Sequence, residues 1–179
     1  MDKKAICILA EGFEEIEAVT PVDMLRRAGI EVVVAGLEGI DVTGSHGITV
    51  LADCEFSEID EEFDCVIIPG GLPGSANIAD DEQVLGFIKH MADKGKLVAA
   101  ICAAPAVVLG KAGVLSGRKA TCSPGFVEKL PADIEQGVKG EHAAKLGDDV
   151  GLKQIERLGV LAFGWRGLAE MHSRFHAGP

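Results

Sequence analysis

The sequence predicts an α/β protein of the flavodoxin-like kind, a three-layer sandwich with a mostly parallel sheet and helices on both faces. Three observations carry that prediction. Short apolar runs without alternation recur at residues 5–10, 31–35, 64–69 and 97–101, as strands covered on both faces do. Segments of helical composition separate the first two runs and the last two, and strands alternating with helices give a parallel sheet between helical layers. The run at 97–101 turns at once into a helical segment, with Cys102 as the lone polar side chain at the junction.

The elements follow in order. The run at 5–10 ends at Glu11-Gly12, residues 14–28 have helical composition, and Gly29 supplies the left-handed position that closes a helix. Glu31-Val32-Val33-Val34-Ala35 is the second buried strand, so the chain opens as a βαβ unit. Residues 36–52, with Gly39, Gly44 and Gly47, read as a short hairpin. The third strand, 64–69, leads into Gly70-Gly71-Leu72-Pro73-Gly74. Residues 81–93 put Val84, Leu85, Ile88 and Met91 on one side of an amphipathic helix. After the Cys102 corner come a helix over 103–109, a short strand over 118–122 and a helical turn over 124–130. Beyond residue 130, Gly137, Gly140, Gly147, Gly151, Gly159, Gly164 and Gly167 interrupt every pattern. Helices are expected there over 152–161 and 168–175. The chain thus divides into one α/β domain, 1–130, and an atypical, partly helical tail, 131–179.

Composition narrows the function classes. A chain of 179 residues suits one well-packed domain. With no Tyr, the core rests on Val, Ile, Leu and Ala. The net charge of −11, from 17 basic and 28 acidic residues, opposes nucleic acid and anionic membranes. No stretch reaches the ~18 apolar residues of a membrane span, and the run after Met1-Asp2-Lys3-Lys4 is too short for a signal peptide. Five cysteines (Cys7, Cys54, Cys65, Cys102, Cys122) without C-x-x-C spacing fit a reducing cytoplasm.

The corner at Cys102 is where chemistry concentrates. Pro105 falls in the first turn of the following helix, where a missing N–H does least harm. The corner side chain faces the unpaired N–H groups of the helix start. Those donors favour a thiolate, and the same corner carries the serine of G-x-S-x-G hydrolases. Cys102 is therefore a candidate nucleophile, its thiol expected to ionise below the ~8.5 of free cysteine. In parallel sheets, sites form beyond the carboxyl ends of the strands. Glu11, Glu14, Glu15 and Glu17 follow the first strand, Gly70-Gly71 the third, and the Ala103 N–H lies directly after Cys102. A thiol, a carboxyl group and N–H donors make an acyl-transfer or carbonyl-addition site, although the residues alone leave open which glutamate takes part.

Other signals are weaker. Glu170, His172 and His176 lack a fourth ligand and supporting shell, so no metal is expected, and no cofactor. Gly70 to Gly74 is not a phosphate loop, because no Gly-Lys-Ser/Thr follows. His46 reads as a surface histidine of the hairpin, and Trp165 as a packing residue.

Four motifs in order carry a resemblance: Glu11-Gly12-Phe13-Glu14-Glu15-Ile16-Glu17-Ala18, Pro21-Val22-Asp23-Met24-Leu25-Arg26-Arg27-Ala28-Gly29, Ile68-Pro69-Gly70-Gly71 and Ala100-Ile101-Cys102-Ala103-Ala104-Pro105. Over residues 4–130 the chain resembles the parkinsonism-associated deglycase branch of the PfpI superfamily. That resemblance implies a flavodoxin-like fold and a homodimer. It also implies Cys102 as elbow nucleophile and Glu17 as the acid that hydrogen-bonds its sulfur and shuttles a proton. Gly71 and Ala103 would offer N–H groups to an oxyanion, Gly70 would shape the turn, and Arg27 would lie on a helix used for dimer contacts. Two departures stand out: Ser123 replaces the His or Tyr that many relatives carry before Pro124, and no Thr-Ser-Arg-Gly-Pro-Gly-Thr turn follows Leu130. Ala103 takes the place of the protease-like branch's histidine, and His142 lacks the frame of an amidotransferase His–Glu pair. The expected activity is a cofactor-independent cysteine enzyme acting on small α-oxoaldehydes, of glyoxalase III or deglycase type. The alternative is a redox-sensing stress or chaperone-like protein working through oxidation of Cys102.

Overall fold

A computed structural model describes residues 3–131, 135–136 and 160–163. In chain order, β1 (Lys4–Leu9), α1 (Glu15–Arg27) and β2 (Glu31–Gly36) form the opening βαβ unit, followed by the antiparallel hairpin β3 (Asp41–Thr43) and β4 (Thr49–Leu51). Then come β5 (Cys54–Glu55), β6 (Cys65–Ile68), α2 (Gly74–Asp80), α3 (Glu82–Asp93) and β7 (Leu97–Ile101). Pro105–Leu109 winds as a π-helix into α4 (Gly110–Ala112). The last strands are β8 (Lys119–Ala120), β9 (Glu135–Gln136) and β10 (Val160–Phe163). The main sheet has the order β10-β7-β6-β1-β2-β5, with every pair parallel.

Why the strands read apolar throughout is visible in how they are covered. Ile6 and Ile8 of β1 join Val66, Ile68, Val98 and Ala100 in a core closed by Val84, Ile88 and Met91 of α3. Ala5, Cys7 and Leu9 face the other way, onto Val32, Val34 and Ile67 beneath Ala18 and Leu25 of α1. Side chains alternate along each strand, yet both faces are covered, so no polar alternation survives. The helix α1 starts where the Glu14 carboxylate accepts the Glu17 N–H at 2.8 Å and ends with Arg26 and Arg27 in its last turn, which complements the helix dipole. Among the described residues, no helix is long and apolar enough to cross a membrane.

The structure departs from the sequence expectation in four places. The helix α2 was not anticipated; its segment has one large apolar residue, Ile78, and is held by close packing of Gly74 on the Phe13 backbone, where a Cβ would come within 2.6 Å. The two-residue β5 extends the sheet beside β2, too short to leave a periodic signal. The helix after Cys102 is a π-helix at first and runs on to Ala112. Finally, Val160 and Leu161, assigned to a helix, lie in β10, paired in parallel with Val98 and Ala99. Val160-Leu161-Ala162-Phe163 is a strand-length apolar run, and the open edge of β7 supplies its partners. The rest of that predicted helix, and the one at 168–175, lie outside the described residues.

Ile8 is fully buried at the centre of the sheet, so Ile8→Ala should cost about 2–5 kcal/mol through lost transfer energy and a residual cavity. Urea unfolding followed by circular dichroism measures it.

Candidate active site

Three loops meet beyond the carboxyl ends of the adjacent strands β1, β6 and β7. Cys102 sits at the end of β7 with φ 61°, the one non-glycine residue of positive φ among the described residues. Such backbone costs of order 1–3 kcal/mol and persists where the surroundings enforce it. Here the Ser123 N–H donates to the Cys102 carbonyl at 2.7 Å. The strain turns the side chain into the loop of β6, as a nucleophile elbow does.

Gly70 and Gly71 shape that loop. The Gly70 N–H donates to Glu17 Oε2 at 2.9 Å, and its carbonyl accepts the Glu14 N–H at 3.0 Å. A Cβ on Gly70 would fall 2.5 Å from both Cys102 Cβ and Glu17 Oε2, so a side chain here would push the two apart. Gly71 has φ +92°, and its Cβ would come within 2.5 Å of the Glu14 nitrogen and the Gly12 carbonyl oxygen. The Gly71 and Ala103 N–H groups and the Glu17 carboxyl lie close enough to the Cys102 sulfur to act on its ionisation. All five residues singled out by the resemblance (Cys102, Glu17, Gly70, Gly71 and Ala103) thus converge on one point.

The electrostatics there differ from the expectation for a helix-capped thiol. Half-burial and the neighbouring Glu17 charge push the Cys102 thiol up, against the opposing pull of the Ala103 and Gly71 N–H groups. The lowering expected for a helix-capped thiol gives way to a rise: Ala103 at the corner and Gly71 in the β6 loop each offer an N–H, but burial and the Glu17 carboxylate work against the thiolate. Burial likewise pushes Glu17 up, aided by Glu14, while the Gly70 N–H and the thiol pull it down. Each group thus acts on the other's ionisation, so the two titrate as a coupled pair.

The rest of the acid run has other work. Glu14 caps α1, and Glu11 accepts the Thr43 N–H at 2.9 Å. Glu15 is buried and accepts the His46 N–H at 2.7 Å, with His46 Nδ1 at 2.9 Å from its other oxygen. His46 therefore holds the hairpin against α1, a role that no sequence spacing signals because 31 residues separate the partners. Burial would raise Glu15, but the His46 ring and the N–H groups of His46, Glu15 and Ile48 hold its carboxyl well below the usual range, at about 2. Glu14, Glu15 and His46 bring ligand atoms within 4.8 Å of one another, but Glu15 already spends its oxygens on that loop. Arg27 is exposed and pairs with Asp23 at 2.8 Å within α1. Glu170, His172 and His176 lie outside the described residues. All five cysteines are free, and Cys122, which the sequence did not single out, precedes the Ser123 amide on the Cys102 carbonyl.

The DJ-1/PfpI family model matches residues 3–146. The chain belongs to that family. It is 44% identical to protein DJ-1 homolog B of Arabidopsis thaliana over 132 residues, 73% of this chain and 30% of the relative. The chain spans about a third of the length of the two Arabidopsis relatives it matches. A protein named as a deglycase in Thermococcus kodakarensis is 39% identical over 119 residues, 66% of this chain and 70% of that one. Among solved structures, oxidised DJ-1 of Toxoplasma gondii superposes with a TM-score of 0.77 at 36% identity, covering 96% of this chain and 88% of that one. The flavodoxin-like α/β architecture is that of these relatives.

The Glu15–His46 pair should be visible in titration. His46 is pushed up by the Glu15 hydrogen bond and charge, so its contribution to stability is present below about pH 6.5 and lost as pH rises through the raised value. Glu15, held at about 2, contributes above about pH 4.5 and loses that as pH falls towards 2. NMR of the imidazole should show His46 titrating above its ordinary value, and Glu15→Gln should bring it back.

Proposed function

We propose that the protein is a cofactor-independent cysteine enzyme of deglycase or glyoxalase III type, acting on small α-oxoaldehydes. The observation that carries this reading is the approach of Cys102 and Glu17 across Gly70, with the Gly71 and Ala103 N–H groups beside the sulfur. Its relatives named as deglycases support the same class of chemistry. Glu17, with its raised basicity, takes the thiol proton as the Cys102 sulfur adds to the aldehyde carbon. The Gly71 and Ala103 N–H groups then leave the sulfur for the new oxyanion. That oxygen takes up a proton and gives a hemithioacetal. Glu17 removes the hydrogen from the former aldehyde carbon and returns one to the adjacent carbon, turning hemithioacetal into a thioester of the 2-hydroxy acid. Water hydrolyses the thioester and frees Cys102, so the net reaction is oxoaldehyde plus water to hydroxy acid. Ser123 supplies no base near neutral pH, which leaves Glu17 to move every proton.

Lactate formation from methylglyoxal tests this. Cys102→Ser should abolish turnover, and equal rates for the two proteins would end the proposal. Glu17→Gln should lower turnover by at least ~10²-fold, the usual contribution of a positioned acid–base group, while Cys102 still alkylates with iodoacetamide. Turnover retained in Glu17→Gln but lost in Glu14→Gln or Glu15→Gln would overturn the role of Glu17 and move it to that neighbour.

We further propose that the protein works as a homodimer. Ile16 and Val19 on the outer face of α1, and Ile48 and Leu51 on the hairpin beside it, are 49–67% exposed. The Ile48 N–H reaches Glu15 at the start of α1, so the hairpin and α1 bring exposed apolar residues to one side of the molecule, as an isologous contact would use. Light scattering should give twice the 18.7 kDa chain mass, and Ile16→Glu with Leu51→Glu should give the monomer.

A further inference from the structure

We propose that Cys122 is the resolving thiol of Cys102, closing a reversible disulfide that shuts the site under oxidation. The two residues are tied through one backbone hydrogen bond, from the Ser123 N–H to the Cys102 carbonyl at 2.7 Å. Standard bond lengths then keep their Cα atoms within roughly 7.5 Å, and any bend in that link shortens the span. Disulfides need about 4.4–6.8 Å, so the pair lies within reach of bridging geometry. Both thiols are partly exposed, whereas Cys7 and Cys65 are fully buried in the sheet. Cys54 lies on β5 at the far edge of the sheet, with β2, β1 and β6 between it and β7. Cys122 packs against the same apolar cluster that holds Ala100 and Ala104 on either side of the elbow. Burial pushes the Cys122 thiol up, and a Cys102 thiolate would push it further by direct repulsion, which places the two sulfurs in electrostatic range.

The chemistry balances with a hydroperoxide as oxidant. The Cys102 thiolate attacks one peroxide oxygen, the O–O bond breaks, and an alcohol or water leaves, giving a sulfenic acid. The Cys122 thiolate then attacks that sulfur, the S–O bond breaks, and the departing oxygen leaves as water with the proton of Cys122. Two thiols and a hydroperoxide become a disulfide, an alcohol and water. A low-molecular-weight thiol restores both cysteines by exchange. Closure competes with further oxidation of Cys102 to the sulfinate, and it blocks the nucleophile on which the proposed activity depends. The redox proposal needs only Cys102 to be oxidisable, so it stands or falls separately from the oxoaldehyde reading.

The test is limited hydrogen peroxide on the full chain, blocking of free thiols, and intact-mass and peptide mapping. The wild type should lose about 2 Da and yield a peptide joining Cys102 to Cys122, reversed by dithiothreitol, while Cys122→Ser should gain about 16 and then 32 Da at Cys102. A wild type that gains about 32 Da at Cys102 without any such cross-link would overturn the proposal and favour a sulfinate sensor. The same product from wild type and Cys122→Ser would overturn it too. The wild-type peptide map decides the matter even if the variant folds poorly.

Discussion

The hydrogen bond from the Gly70 N–H to the Glu17 carboxyl, and the empty space where Gly70 lacks a side chain, set the terms for everything around them. Glu17 comes from α1, which packs on one face of the sheet, and Cys102 from a corner that leads into the helix on the other. Only at the end of β6, the strand between β1 and β7, can the two approach. A residue with a Cβ at 70 would occupy the point where sulfur and carboxyl meet. The second bond of that loop, from the Glu14 N–H to the Gly70 carbonyl, locks the start of α1 to it.

Partial burial then decides the chemistry of the pair. A thiol at a helix start in water would ionise easily, since the helix N–H groups stabilise the anion. Here desolvation and the carboxylate outweigh two N–H donors. The result is a thiol and an acid that are both pushed up and coupled to one another, an arrangement suited to passing a proton between them. The strained φ of Cys102 belongs to the same economy of position: the Ser123 amide and the π-helix hold the corner in a conformation that aims sulfur at Glu17.

The glutamates after β1 show how one composition is divided by geometry. Glu11 and Glu15 fasten the hairpin, Glu14 caps α1, and Glu17 alone points across to β6 and β7. Helical spacing explains part of the division. Glu14 and Glu17 are three residues apart and share a side of the first turn, whereas Glu15 is turned towards the hairpin. His46 completes that fastening from a loop that sequence reasoning leaves on the surface, and its ring does remain exposed while Nδ1 reaches inward.

Local rules made much of the fold legible. Unbroken apolar runs marked β1, β2, β6 and β7, because a parallel sheet covered on both faces admits no polar alternation, and Gly29 marked the end of α1. The motifs around Glu17, Gly70 and Cys102 pointed to the site, since a tight corner, bare glycines and an acid next to a helix start are each written within a few residues. What the sequence could not decide were the terms that depend on distant partners. The helix α2 forms because Gly74 lies on the Phe13 backbone, and Val160 to Phe163 become a strand because β7 has an open edge to pair with. The suppressed ionisation of Cys102 and the closeness of Cys122 to it arise from burial and from one backbone hydrogen bond across the fold. Propensity and pattern act along the chain, whereas desolvation and contact are set by segments far apart in it, and only the folded structure brings those together.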